Sequence, residues 1–249
     1  MKGICSWSGG KDSALALQRA LERGVTPVAL LTMFDESGER TRSHGLPRAV
    51  IEAQAAALNV PLVTRSATWA DYTDAFADGL AHGASDAEVC VFGDIDIPAH
   101  RQWCEQVCAR AGLSPLHPLW QHPRRALLEQ FLRAGFLATI VVVRDSQLGQ
   151  AFLGRTLDWP LIHELEVQGV DPCGENGEYH TVVTDGPRFS FPLPIRAVGM
   201  AHVADCTVLQ VTLVESDTDP RAKASYKSSS CCGRRGDEIR PPGARQEPR

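Results

Sequence analysis

Ser6-Trp7-Ser8-Gly9-Gly10-Lys11-Asp12-Ser13 is the stretch best equipped for phosphate chemistry. Before it, Gly3, Ile4 and Cys5 read as a short buried strand. After it, Ala14, Leu17, Ala20 and Leu21 recur at helical spacing, and Gly24 sits where a helix would stop. The chain therefore turns sharply through two glycines from a strand into a helix. Such a turn aims free backbone N–H groups and the positive helix end at one point, which suits a phosphate. Gly9 and Gly10 let the backbone come close to the oxygens. Lys11 adds a cation, and Ser6, Ser8 and Ser13 add short hydroxyl donors. An ordinary glycine–serine turn would not gather a lysine and three serines. The spacing is not that of a Walker A loop, which places four residues between its first glycine and the Gly-Lys pair.

A second dense stretch reads Pro172-Cys173-Gly174-Glu175-Asn176-Gly177-Glu178-Tyr179-His180-Thr181. Two carboxylates, an amide, an imidazole and a thiol stand close together between glycines. The alternative is a solvated turn before a strand. Period two would put Glu178 and His180 on one strand face, which fits convergent roles.

The first stretch has the Ser-Gly-Gly-x-Asp-Ser pattern of the ATP pyrophosphatase superfamily, whose members cleave ATP between the α- and β-phosphates. Together with the second it resembles the diphthine–ammonia ligase family of that superfamily, over roughly residues 1–190. Further landmarks are Ser43-His44-Gly45, Val91-Phe92-Gly93-Asp94-Ile95, Pro118-Leu119-Trp120, Leu148-Gly149 and Leu153-Gly154-Arg155. The resemblance implies an ATP-dependent amidation. A substrate carboxylate attacks the α-phosphorus, pyrophosphate leaves, and ammonia then displaces AMP. In eukaryotic and archaeal members the acceptor is diphthine, a modified histidine on elongation factor 2. The segment 93–103 looks more like bacterial relatives, where diphthine does not occur, so the acceptor is left open as a carboxylate on a protein or small molecule.

Carried over, the resemblance makes Ser6, Ser8, Gly9, Gly10, Lys11, Asp12 and Ser13 the pyrophosphate cradle, with Ser43, His44 and Gly45 near the nucleotide. Lys11 would neutralise the leaving pyrophosphate. Asp12 could help hold Mg²⁺, or serve only as a helix-start carboxylate. Gly93 and Asp94 would close the cleft near the α-phosphate or the metal. Glu175, Asn176, Glu178 and His180 would line the acceptor side, where an acid–imidazole set could bind and deprotonate ammonium. Arg144 and Arg155 are candidates for anion contacts.

The elements that must position these residues follow from periodicity. Apolar runs at 28–33, 61–63, 88–92 and 136–143 read as buried strands. Helical stripes at 50–58, 70–80, 103–111 and 127–132 alternate with them. Strand–helix repetition predicts an α/β fold: a Rossmann-like parallel sheet with helices on both faces. Ligands on such sheets bind at the carboxyl ends of strands. Residues 144–168 read as polar and helical, and strands return at 181–183, 197–203 and 207–214. The expected organisation is a nucleotide-binding domain over 1–143, a smaller α+β portion over 144–215 and a disordered tail over 216–249.

Charge narrows the function classes. Residues 216–249 hold eight Lys/Arg against five acids, a net +3, so the net charge of −5 leaves −8 on residues 1–215. An acidic body argues against a nucleic-acid partner. No apolar run approaches a membrane span. The eight cysteines show no disulfide-framework spacing, so a reduced, cytoplasmic protein is expected. An RNA-thiolating member of the superfamily would want paired cysteines. Cys104 and Cys108 lie one helical turn apart in an apolar stripe and read as core. A non-catalytic nucleotide-binding module is the third reading; an intact Lys11 and an intact 172–181 loop speak against it.

Overall fold

The computed structural model describes residues 1–83 and 85–214. The expected disordered tail lies outside them. Along the first half, β1 (Lys2–Ser6), α1 (Lys11–Glu22), β2 (Thr26–Phe34), α2 (Arg48–Leu58), β3 (Leu62–Ser66), α3 (Tyr72–Gly83), β4 (Val89–Val91), α4 (Pro98–Ala111) and β5 (Ser114–Leu116) alternate. The five strands form one sheet in the order β3-β2-β1-β4-β5. Every neighbouring pair is parallel. Alternation along β1 explains the two helical layers. Ile4 faces a core with Phe76 and Leu80 of α3 and Val107 and Cys108 of α4. Cys5 faces the other core, with Leu17 of α1 and Ile51 of α2.

From β1 the chain winds outwards to β2 and β3, then returns to the other side of β1 for β4 and β5. The reversal opens a crevice beyond the carboxyl ends of β1 and β4. Ser6 ends β1, and Gly93-Asp94 follow β4.

The second half holds α5 (Arg124–Arg133), β6 (Leu137–Arg144), a 3₁₀ turn (Gln150–Phe152), α6 (Trp159–Val167), β7 (Tyr179–Asp185), β8 (Ile195–Val203) and β9 (Cys206–Leu213). Its strands make an antiparallel sheet in the order β7-β6-β9-β8. Residues 136–143 were expected to continue the parallel series; instead β6 belongs to this second sheet. The reason is physical: Ala138, Ile140, Val141, Val142 and Val143 are all buried. An antiparallel strand covered on both faces gives the same unbroken apolar run as a parallel one. The reading of 144–168 as helical is also corrected, since only α6 and the 3₁₀ turn form there. α6 starts where its caps dictate: the Asp158 carboxylate accepts from Leu161 N–H at 2.8 Å, and Pro160 occupies the first turn.

One side chain ties the two halves. Gln54 of α2 is fully buried. Its Oε1 accepts from Trp7 Nε1 at 2.8 Å. Its Nε2 donates to Gly9 O at 3.0 Å and to Val183 O of β7 at 2.7 Å. Gln54→Leu keeps the volume but leaves the Trp7 donor and a strand carbonyl unpaired. At about 1–3 kcal/mol for each stranded group, the variant should lose roughly 2–4 kcal/mol. A thermal melt should show a Tm fall of about 5–10 °C.

Candidate active site

β1 delivers the chain into the crevice, and Gly9 makes the turn. Its φ of +81° suits glycine, and a Cβ there would lie within 2.9 Å of Gln54, Ile51 and Leu46 side chains. Gly10 precedes α1 in extended conformation, and a Cβ on it would meet His44 Cε1 at 2.4 Å. The Ser13 hydroxyl donates back to Gly10 O at 2.9 Å and lies 3.3 Å from Ser8 Oγ. Lys11 N–H, at the first turn of α1, donates to Thr181 Oγ1 of β7 at 3.1 Å. The phosphate-type turn is thus pinned against the second sheet.

A cavity of about 820 Å³ opens over this turn. It is lined by Ser6, Ser8, Lys11, Asp12 and Ser13 from the β1–α1 connection, by Ser43 and His44, and by Gly93 and Asp94. Residues 174–177 with Glu175 and Asn176, then Tyr179, His180 and Thr181, form the facing wall, with Arg144 beside them. The two stretches singled out in the sequence therefore face one volume, although more than 150 residues separate them.

The charges in the cavity are coupled. Lys11 is buried, and its ammonium lies 2.7 Å from Asp12 Oδ2, 3.7 Å from Glu175 Oε1 and 5.6 Å from the Tyr179 ring centroid. Burial alone would lower its pKa, but the surrounding anionic groups, Asp12 foremost and Glu175 among them, hold it well above the usual lysine value. Glu175 moves the other way from an ordinary carboxylate. Burial, and then the Asp12 charge, push it up to about 7, against the pull of Lys11 and Arg124. One buried cation is thus shared by two carboxylates, one of which is poised to exchange a proton near neutrality.

Two imidazoles stand close by, with ring centroids 4.6 Å apart. Burial lowers the pKa of His44, whose Nδ1 lies 2.8 Å from Thr181 O. A carbonyl oxygen only accepts, so Nδ1 carries the proton and Nε2 keeps its lone pair. Burial and then neighbouring His44 drive His180 well below the usual histidine value, so it too is neutral at pH 7.

Three predicted residues sit elsewhere. Glu178 does not line the cavity; its buried carboxylate accepts from Asn176 N and from Asn176 Nδ2, both at 2.9 Å, and so clamps the 174–178 turn. It precedes β7, and the strand alternation argument for pairing it with His180 fails there. Arg155 pairs with Glu164 at 2.7 Å and lies over Phe152, away from the cavity. Gly45 lines an adjoining hollow of about 440 Å³ that shares His44 and His180 with the main cavity. Arg144 does reach the cavity, but its Nη1 is committed to Asn176 O at 3.1 Å.

Sequence reasoning missed the loop's main anchor. Arg124, at the start of α5, grips both Asp96 oxygens at 2.7 Å and bonds Asp171. Asp171 accepts in turn from Cys173 N at 3.0 Å and Glu175 N at 3.1 Å. This bidentate pairing sets the wall that carries Glu175. Trp69 and Arg42, the guanidinium 4.7 Å from the ring centroid, complete the cavity rim and were not anticipated either.

A parallel sheet that feeds a glycine turn, a lysine and a helix N-terminus into a crevice at its switch point is the arrangement of a nucleotide-binding α/β protein. The chain belongs to the diphthamide synthase family: residues 1–115 match the diphthamide synthase N-terminal domain and residues 123–212 the C-terminal domain. Relatives named diphthine–ammonia ligase include one from Danio rerio, 29% identical over 218 residues, covering 76% of this chain and 84% of that protein. Another, from Homo sapiens, is 30% identical over 212 residues, covering 73% and 78%. A solved structure described as a predicted subunit of tRNA methyltransferase, from Methanocaldococcus jannaschii, overlaps 74% of this chain and 96% of its own. Its TM-score is 0.41 and its identity 17%, a likeness too weak to build on.

Among the described residues no helix is long and apolar enough to cross a membrane. Six described cysteines, Cys5, Cys90, Cys104, Cys108, Cys173 and Cys206, are free thiols.

Proposed function

We propose that this protein is an ATP-dependent amide-forming ligase that works through an acyl-adenylate, with ATP and ammonia as co-substrates and a carboxylate as acceptor. The observation that carries the reading is the convergence of the Lys11 turn and the Glu175–His180 wall on one cavity. A phosphate cradle and a proton-handling wall are the two halves such a reaction needs.

In the first step an acceptor carboxylate oxygen attacks the α-phosphorus and the bond to the β-phosphate oxygen breaks. Negative charge grows on the leaving pyrophosphate. Lys11, with the Ser8 hydroxyl beside it, would stabilise it at the helix start. Asp12, Asp94 and Glu175 present oxygen donors to the cavity, the class Mg²⁺ takes. Asp12 and Asp94 would hold the ion, which would offset phosphate charge. In the second step ammonia attacks the acyl carbon and AMP leaves. Ammonium must first lose a proton. On the wall that faces the cradle, Glu175, pushed up to about 7, takes it, with the neutral His180 as the second acceptor there. The cradle, the proton-handling roles of Glu175 and His180, and a reducing cytoplasm suited to the free thiols all belong to this reading.

Diphthine, after which the diphthine–ammonia ligase relatives are named, is the acceptor to try first. The test is the product pattern with ATP, Mg²⁺, ammonium and a diphthine-bearing protein. AMP and pyrophosphate formed in step with amide support the reading; ADP and phosphate overturn it. AMP and pyrophosphate formed only with a different carboxylate would keep the chemistry and replace the acceptor. His180→Ala should leave ATP–pyrophosphate exchange within about threefold while slowing amide formation by about 10²-fold. An equal collapse of exchange would sink the division into two half-sites.

A further inference from the structure

Next to the nucleotide cavity, three side chains from successive segments meet. Asp94 follows β4, Cys104 lies in α4 and His117 follows β5. One donor atom of each lies within 4.8 Å of the other two. Cys104 Sγ and Asp94 Oδ2 are already 3.6 Å apart. The sequence reading of Cys104 as plain core is therefore incomplete: the thiol is buried but faces a carboxylate. The His117 ring is held in place, stacked on Phe92 at 5.4 Å and edge-on to Trp120 at 5.9 Å. Its Nε2 is buried and has no hydrogen-bond partner among the described residues. A shielded, unpaired imidazole nitrogen costs free energy unless something meets it.

We propose that Asp94, Cys104 and His117 form a binding site for a Zn²⁺-class metal ion. One thiolate, one imidazole and one carboxylate make a mixed S/N/O set that selects such an ion over Mg²⁺ or Ca²⁺, which want oxygen alone. With bonds of about 2.0–2.3 Å, tetrahedral donors stand roughly 3.3–3.8 Å apart. The Asp94–Cys104 pair meets that spacing, and the remaining gaps close by side-chain shifts of about 1 Å. Binding replaces the Cys104 S–H bond with an S–metal bond and releases one proton to water. Three protein donors leave one coordination position; Asp94 would give Oδ2, the oxygen beside Cys104, to this ion and keep Oδ1 for the Mg²⁺ of the nucleotide cavity. His100, with Nδ1 3.1 Å from Asp94 Oδ1, is a further donor on that side. The ion would cross-link the segments after β4 and β5 to α4, and so fix one wall of the crevice.

The site is tested without reference to catalysis. The full chain carrying Cys231→Ser and Cys232→Ser, to remove the adjacent tail thiols, is stripped with a chelator and titrated with Co²⁺. The expected result is one equivalent bound, with thiolate-to-cobalt charge-transfer absorption that Zn²⁺ abolishes. Adding Cys104→Ser should remove that absorption. Adding His117→Gln, which removes the imidazole at a half-buried position, should weaken Co²⁺ binding by about tenfold or more. No charge-transfer band in the parent, or a band that survives Cys104→Ser, overturns the proposal. Unchanged affinity in His117→Gln overturns the assignment of that ligand.

Discussion

Lys11→Ala should lower the formation of AMP and pyrophosphate by about 10³-fold while the protein stays folded. The Lys11 ammonium is the cation buried at the phosphate-type turn, and its loss removes charge stabilisation where pyrophosphate departs. Stripping a buried cation from two carboxylates would ordinarily be costly. Here two features limit the damage. Asp12 retains 31% side-chain exposure and can take up water. Glu175 is already raised to about 7, with Lys11 pulling its pKa down. Without Lys11 it rises further and stays protonated at pH 7, so the variant carries one buried charge fewer, not one more. The lost side chain opens onto the large cavity, which water can fill. A Tm within about 5 °C of the parent should accompany the kinetic loss. Calorimetry should still detect ATP, bound more weakly, because the backbone turn persists. Turnover within tenfold of the parent would mean that the phosphate charge is met elsewhere, and the assignment of the cradle would fall.

The legible part of this molecule is the part whose causes are local. Two glycines, a lysine and a following apolar stripe specify a strand–turn–helix whatever lies around them. Strand–helix alternation specifies the parallel sheet. The switch point between β1 and β4 then follows from how such sheets wind, and it put Ser6, Lys11, Gly93 and Asp94 around one crevice as expected. The failures share a different cause. Arg155 was assigned by residue type and Glu178 by a strand alternation that begins only at Tyr179, yet the Arg155 guanidinium and the Glu178 carboxylate each find a partner within nine residues. A short-range partner is hard to see in a sequence because it depends on a rotamer and a turn, not on a period. Arg124 and Gln54 failed in the opposite sense. Their partners, Asp171 and Val183, lie 47 and 129 residues away, and no pattern in one sequence links such positions. β6 was misplaced because burial on both faces erases the alternation that distinguishes sheet types.

Glu175→Gln should change both activity and the pH dependence of stability, and the second effect separates its causes. In the parent, Glu175 rises from 4.5 to about 7 through burial and the Asp12 charge. A folded-state pKa above the unfolded one means that the native state binds the proton more tightly. The resulting stabilisation is complete below about pH 4.5, declines as pH rises towards 7 and is gone above it. The whole shift corresponds to about 3 kcal/mol. Glutamine keeps the shape and cannot ionise, so this slope disappears. Relative to the parent, Glu175→Gln should gain about 5–10 °C in Tm between pH 5 and pH 8, a functional-site substitution that stabilises the fold at the higher pH. Its amide-forming activity should fall by about 10²-fold, and the rise in the parent's rate through pH 7 should flatten. Parallel Tm curves for the two proteins would show that Glu175 is ionised throughout, held by Lys11 as an ordinary ion pair. A lost rate with parallel curves would then leave Glu175 as a binder of ammonium and pass the proton to His180, whose neutral imidazole is the other acceptor on that wall.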